Sequence, residues 1–552
     1  MNLIRFALKA LLPQAIAFEE ATKNPMKHQK KVLFEYIGRN KKTEYGIKYD
    51  FANIKSIEDY QRLVPISDCI SLHPYIEKMA RGVHNVLTID KPVFFGLTSG
   101  STNRPKLIPV TEFQRAKKAE VMNVWVYYLT KDHPDVLAGK ILAIVSPERE
   151  EITESGLPCG AESGHAYKNL PQAIKHYYAL PYEVFDITDF DARYYSILRV
   201  SMEQNVTTIV TLNPTTIILL CRKIDMWKDK ITEDIERGTL SRDFNIPENI
   251  RKIIEKGLRP NPKRAEELRK IIKEKKKLVP KDFWPKVALI ECWKGGTVKL
   301  YLKELPRYFG NVPIRDIGCL STEARCSIPM SDEGAGGVLA IKTNFCEFIP
   351  KEDIVKKDKR ILLCDQLEKG KDYFLIVTTP GGLYRYNIDD IVRVVGFFNK
   401  TPIIEFMQKG LNVCSLAGEK LYESQVSEAI NRAVDKNNVV VQFFSICMGL
   451  EQPPRYIFLV EFEGTPSREE KKRLLKSIEE ELRIENREYD YVRLAQLLTS
   501  PILKVVKEGG LEKYRTKKVL EGTHDGQFKA PELALDANFE KNFEIEEEIP
   551  LE

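Results

Sequence analysis

Pro92-Val-Phe-Phe-Gly-Leu-Thr-Ser-Gly-Ser-Thr-Asn-Arg-Pro-Lys106 reads as a short apolar strand that runs into a loop of hydroxyls and glycine and ends on a lysine. Small residues after a strand leave backbone N–H groups facing outward. Such a nest, with hydroxyl donors and a basic side chain, binds polyphosphate. The loop is neither a Walker loop nor a dinucleotide fingerprint, because the spacing of its glycines fits neither. Taken alone it is also an ordinary turn. Thr111 is positioned to cap a helix running on to Tyr128. Residues 140–146 (KILAIVS), 207–212 (TTIVTL), 287–293 and 338–343 read as further strands, and Asn213-Pro214 opens a helix after the second. Strands alternating with helices predict an α/β fold.

The rest of the chain fits a large globular protein. Its 552 residues suggest two to four domains, and 43% hydrophobic with 30% charged residues is an ordinary balance. A net charge of +6 is mild over this length and predicts no nucleic-acid partner. The basic run Lys273 to Lys277 lies in a charge-dense stretch, residues 222–282, where acids interleave, so it reads as a solvated helical face. None of the ten cysteines forms a Cys-x-x-Cys pair, which argues against zinc knuckles and predicts reduced, mostly buried thiols in the cytoplasm. No apolar stretch is long enough to span a membrane. The N-terminus reads as an amphipathic helix docked on the body rather than a signal peptide, since Lys9 and Pro13 interrupt it. Residues 43–49 and 66–71 read as polar connectors, and the acidic tail after Asn538 as loosely held.

Four further groups carry possible chemistry. Leu320-Ser-Thr-Glu323 combines a hydroxyl for a phosphate oxygen with a carboxylate for Mg²⁺, or else caps a helix. Gly381 to Asp390 (GGLYRYNIDD) reads as a Gly-Gly turn between two strands. A carboxylate there can hold both hydroxyls of a ribose. Strand alternation predicts that Asp389 and Asp390 point opposite ways. Residues 408–412 (QKGLN) form a glycine-bearing loop that marks a domain boundary: residues 1–408, a hinge at 409–412, and a smaller α+β unit at 413–552. In that unit a helix is expected from Ser424, strands at 439–444 and 456–461, and a charged helix over 467–484. Lys420 and Lys529 are able to neutralise charge on an α-phosphate or carboxylate.

The order of these groups resembles the acyl-adenylate-forming superfamily of luciferases and acyl-CoA synthetases. More closely, the chain is similar to the auxin-responsive Gretchen Hagen family of acyl-acid amido synthetases, including its bacterial members. The likeness runs through residues 98–111, Asn213-Pro214, Trp293 with Gly295-Gly296, residues 347–350 (EFIP) and residues 381–397. It continues through residues 412–423, Asn486 with Tyr489 and Arg493, residues 514–517 (YRTK) and residues 526–531. It implies a large adenylation domain of β-sheets flanked by helices and a smaller mobile domain. ATP and Mg²⁺ are the implied cofactors, with a small carboxylic acid and an amine or amino acid as substrates. By this resemblance Ser99, Gly100, Ser101, Thr102 and Lys106 match the phosphate loop. Thr322 and Glu323 match the α-phosphate and Mg²⁺ motif, and Asp390 the ribose carboxylate. Lys409 stands in place of a hinge arginine, Lys529 faces adenylation, and Lys420 enters for acyl transfer. The chain departs from the family at Asn103-Arg104, where an extra glycine is common. It departs again at Cys319, where an aromatic residue is common, and at Asp389, where glycine is usual. An acyl-CoA ligase and a nucleotide-binding protein without catalysis are the alternative readings.

Overall fold

The structure is a computed structural model. It describes residues 2–98, 106–354, 356–410, 413–417, 419–451, 453–494, 497–521, 523 and 528–551. The chain divides into two compact units. The larger comprises Met1–Gly295 and Glu304–Phe406, the smaller Gly296–Lys303 and Met407–Glu552. The short segment 296–303, which the sequence gives no reason to separate from its neighbours, therefore groups with the C-terminal residues.

The larger unit holds three sheets. One is parallel, with Lys140–Ala143, Val206–Val210, Leu289–Glu291 and Ile314–Arg315 side by side in that order. Helices supply its crossovers, as parallel pairing requires. Pro214–Arg237 begins where Asn213 accepts a hydrogen bond from Thr215 N–H and stops at Gly238, whose φ of 69° suits glycine. The second sheet pairs Pro92–Thr98 with Lys106–Thr111 as an antiparallel hairpin. Thr111 caps the following helix, Glu112–Asp132, through Gln114 N–H. The third sheet has six strands and includes the hairpin Asp372–Thr378 with Tyr386–Phe398.

Arg385, at the turn of that hairpin, is the most tightly held charge in this unit. Its Nε and Nη2 bond Glu347 at 2.9 and 3.0 Å, and its Nη1 bonds the carbonyls of Gln61 and Val64, both at 2.7 Å. Both side chains are buried, at 2% and 1% exposure. Two stretches of the family likeness, residues 347–350 and 381–397, thus meet in one ion pair. Around it Tyr60 Oη lies 2.7 Å from Thr378 Oγ1, and Ser67 Oγ donates to the Tyr384 carbonyl.

The smaller unit packs the helices Glu423–Asn437 and Arg468–Glu485 with a four-stranded sheet, in the order Val441–Gly449, Arg455–Phe462, Ile502–Val506, Ile545–Pro550. The charged helix starts on a capping box, Ser467 with Glu470.

Four sequence expectations are corrected. Residues 43–49 and 66–71 are not simple connectors: Thr43 caps the helix Glu44–Lys48, and Asp68 caps Cys69–Ala80. The C-terminal tail is not loose. Ile545–Pro550 pairs with Ile502–Val506, Ile549 is buried, and Glu547 bonds Arg468 and Lys471. Residues 408–409 are not loop but the end of the strand Thr401–Lys409, with Gly410 turning at φ 59°. The N-terminal helix, Asn2–Thr22, does dock: Ala15, Phe18 and Ala21 are buried, and Tyr128 donates to Glu19. Among the described residues no helix is long and apolar enough to cross a membrane. The ten cysteines are free thiols, nine of them buried.

Arg385→Leu strands the Glu347 carboxylate without its cation. We expect a loss of about 3–5 kcal/mol, the usual cost of breaking a buried pair from one side. The double change Arg385→Leu with Glu347→Leu should recover most of it. Urea unfolding midpoints check both.

Candidate active site

Thr98 faces Lys106 across the mouth of the hairpin. Ser99, Gly100, Ser101 and Thr102 lie outside the described residues. Lys106 opens the returning strand and is half-buried.

The Ser-Thr-Glu stretch packs directly on this hairpin. A Cβ added at Gly96 would stand 2.1 Å from Thr322 Cγ2, so glycine there makes room for the threonine methyl. The stretch is not a helix cap. It is a tight turn, with Ser321 N–H donating to the Ala324 carbonyl at 2.9 Å and Leu320 bridging Arg325. Lys118, which sequence reasoning missed, fastens it: its Nζ reaches the Thr322 carbonyl at 3.1 Å and the Glu162 carboxylate at 2.7 and 2.8 Å. Glu323 is buried, at 7% exposure, and its carboxylate has no hydrogen-bond or ion-pair partner among the described residues. A desolvated carboxylate without a protein cation suits a bound metal ion. No cluster of three metal-ligating side chains exists among the described residues. The donor set is one carboxylate, which suits Mg²⁺ held partly by substrate phosphates.

Asp390 is 5% exposed and Asp389 is exposed, so the two do point apart. The reason is not plain alternation. The strand bulges, with residues 387 to 391 opposing only 376 to 374, and Asp389 takes a left-handed φ of 62°. Glycine reaches that region without cost and Asp with little. The charges of Asp390 and Glu323 both bear on the buried Cys326 thiol. The Cys319 pKa is pushed up by its hydrogen bond with Cys326, by burial, and by the Asp390 charge. Tyr386 is raised by burial and by the charge of Glu323.

The smaller unit carries the lysines. Lys409 ends its strand, where Gln408 Nε2 bonds the Gly410 carbonyl and Gln408 Oε1 accepts from Ser424 N–H. Lys420 and Lys529 are both exposed. One carboxylate joins their segments: Glu423, three residues after Lys420, accepts from the backbone N–H of Glu532, three residues after Lys529, at 3.0 Å. Ser427, one turn on in the same helix, donates to the Glu532 side chain. Glu532 is buried beside Glu423, and burial pushes its carboxyl well above the usual range. Asn486 Nδ2 holds the Lys420 carbonyl at 2.7 Å, which gives that part of the family likeness a physical role. Tyr489 and Arg493 both bond the buried Glu479.

Models described as the GH3 family N-terminal, central and C-terminal domains match residues 14–314, 337–409 and 424–538. The chain belongs to the GH3 family. This GH3 chain is 26% identical to the indole-3-acetic acid-amido synthetase GH3.10 of Arabidopsis thaliana, over 93% of each chain. It is 25% identical to the jasmonoyl–L-amino acid synthetase JAR4 of Nicotiana attenuata, over 93% of this chain and 92% of that one. A solved GH3.15 acyl acid amido synthetase superposes with a TM-score of 0.85 at 22% identity, over 97% of each chain, and so shares its fold.

Gly96→Ala forces the new methyl against Thr322. We expect a stability loss of about 1–3 kcal/mol from overpacking, and ATP affinity at least tenfold weaker with an unchanged far-ultraviolet dichroism spectrum. Calorimetric titration with ATP checks it.

Proposed function

We propose that this GH3 chain is an ATP-dependent ligase that adenylates a small carboxylic acid and passes the acyl group to an amino acid. The observation that carries the reading is the meeting of Thr322, Glu323 and Asp390 beside the hydroxyl hairpin. A hydroxyl, a carboxylate for a cation and a carboxylate for ribose hydroxyls are the groups a nucleotide needs.

In the first half-reaction the acid carboxylate attacks the α-phosphorus of ATP, and pyrophosphate leaves. The 99–102 loop with Lys106 cradles the β- and γ-phosphates, the Thr322 hydroxyl reaches the α-phosphate, and Asp390 takes the ribose hydroxyls. Glu323 would hold Mg²⁺, which when bound neutralises phosphate charge. Lys529 stabilises the charge developing at the reacting phosphate. In the second half-reaction the amine attacks the acyl carbon and AMP leaves. Lys420 serves that step after the smaller unit turns about residues 409–412, with Lys409 in the hinge. Closing the site before the second step keeps water from the acyl adenylate. The related synthetases named for indole-3-acetic and jasmonic acids suggest a small acyl acid of that class and an α-amino acid acceptor. The buried free thiols suit a reducing cytoplasm.

Pyrophosphate release from ATP and Mg²⁺ should depend on a carboxylic acid and rise further with amino acids. A rise with coenzyme A instead would make the chain an acyl-CoA ligase. Release with no acid, or none with any, would remove the reading. Lys529→Ala should slow ATP–pyrophosphate exchange by about 10²–10³-fold, the usual loss for one transition-state donor, and slow acyl transfer much less. Asp390→Ala should raise the KM for ATP by about ten- to a hundredfold, the equivalent of about 1.5–3 kcal/mol for charged hydrogen bonds.

A further inference from the structure

One buried imidazole beside this site has no part in the roles above. His165 lies in the helix Glu162–Lys168, is 7% exposed, and stacks on Phe94 with ring centroids 4.3 Å apart. Its Nδ1 is 2.8 Å from Glu148 Oε1. Glu148 is buried too. Burial opposes its charge, but hydrogen bonds from Lys168 and His165 bring its pKa below the usual carboxylate range. A carboxylate at Nδ1 holds the ring proton there and leaves Nε2 as a lone-pair acceptor. That Nε2 is buried and has no hydrogen-bond partner among the described residues. Buried acceptors seldom go without a donor unless function leaves them so.

The imidazole lies against the strand and the helix that border the Ser-Thr-Glu turn. Phe94, on which it stacks, and Gly96, which abuts Thr322, lie on one face of the same strand. Lys118 ties the His165 helix to the turn from the other side, bonding Glu162 and the Thr322 carbonyl at once. The charged groups that face the ring are Glu148 and Arg115 from other elements and Glu162 on its own helix, with Lys168 on the far side of Glu148. Burial, with Arg115, lowers the imidazole pKa and outweighs Glu148 and Glu162, so the resting ring is neutral.

An amino acid arrives with a protonated α-amine, which has no lone pair to attack with. We propose that His165 Nε2 takes that proton in the acyl-transfer step and that Glu148 is the positioning residue that fixes its tautomer. The inference rests on the amido synthetase reading above. The ammonium gives one proton to Nε2. The freed lone pair forms the C–N bond at the acyl carbon, and the C–O bond to the nucleotide breaks with its electrons going to the phosphate. The second nitrogen-bound proton leaves on that phosphate oxygen. Glu148 stabilises the imidazolium until it loses its proton to solvent.

The test uses the full chain and an acid that the wild type adenylates. His165→Asn should keep ATP–pyrophosphate exchange within about twofold, which also shows that the fold survives. Single-turnover transfer to an amino acid at pH 7 should fall by about 10²–10⁴-fold, the usual range for a general base. The variant's transfer rate should climb about tenfold per pH unit as free amine accumulates, a steeper rise than the wild type shows. Transfer to hydroxylamine, already a free base at neutral pH, should be nearly spared. Glu148→Gln should show the same selectivity. Equal losses with hydroxylamine and amino acid, loss of exchange together with transfer, or wild-type transfer in both variants would each overturn the assignment. A wild type that exchanges no pyrophosphate with any acid would remove the amido synthetase reading and this inference with it.

Discussion

The larger unit depends on a charge that has nowhere else to go. Arg385 and Glu347 are both out of water, and neither is tolerable without the other. The guanidinium also donates to the carbonyls of Gln61 and Val64. Three stretches far apart in sequence, near residues 61–67, 347 and 385, are thereby fixed against one another. Asp390 lies five residues beyond Arg385, after a bulge whose geometry starts from that anchored turn. The carboxylate proposed for ribose is placed by this constraint before any substrate arrives.

Both units place their functional groups with backbone devices rather than side-chain packing. Gly96 lets Thr322 close on the hairpin, a left-handed Asp389 turns Asp390 inward, and Glu423 holds the backbone of the Lys529 segment. Such devices are stiff because each uses a hydrogen bond or dihedral that has only one satisfactory partner. The chemistry proposed here needs that stiffness, since electrostatic stabilisation acts only when donors are aimed before charge develops.

Much of this was legible in the sequence where one local signal suffices. Thr111 and Asn213 cap helices as their residue types foretell. The failures have particular causes. The tail reads as loose because Glu544, Glu546, Glu547 and Glu548 are acidic, yet on an edge strand Glu547 and Glu548 meet Arg468, Lys471 and Lys504, and charge there discourages unwanted pairing. The short helices after Thr43 and Asp68 hid among polar residues that were themselves the caps. Lys118 and the Glu148–His165 pair carry no local mark: their partners lie 204 and 17 residues away, and only the fold brings them together.

The chain passes between its two units at 295/296, again at 303/304, and a third time at 406/407. The smaller unit is therefore not a contiguous cassette. A fragment starting at Met407 would lack the segment 296–303, and the remainder would carry that segment without its partners. Exchanging the C-terminal portion between relatives would for the same reason have to carry along an internal loop of the other half. Modularity in this chain belongs to the contact map and not to the reading order.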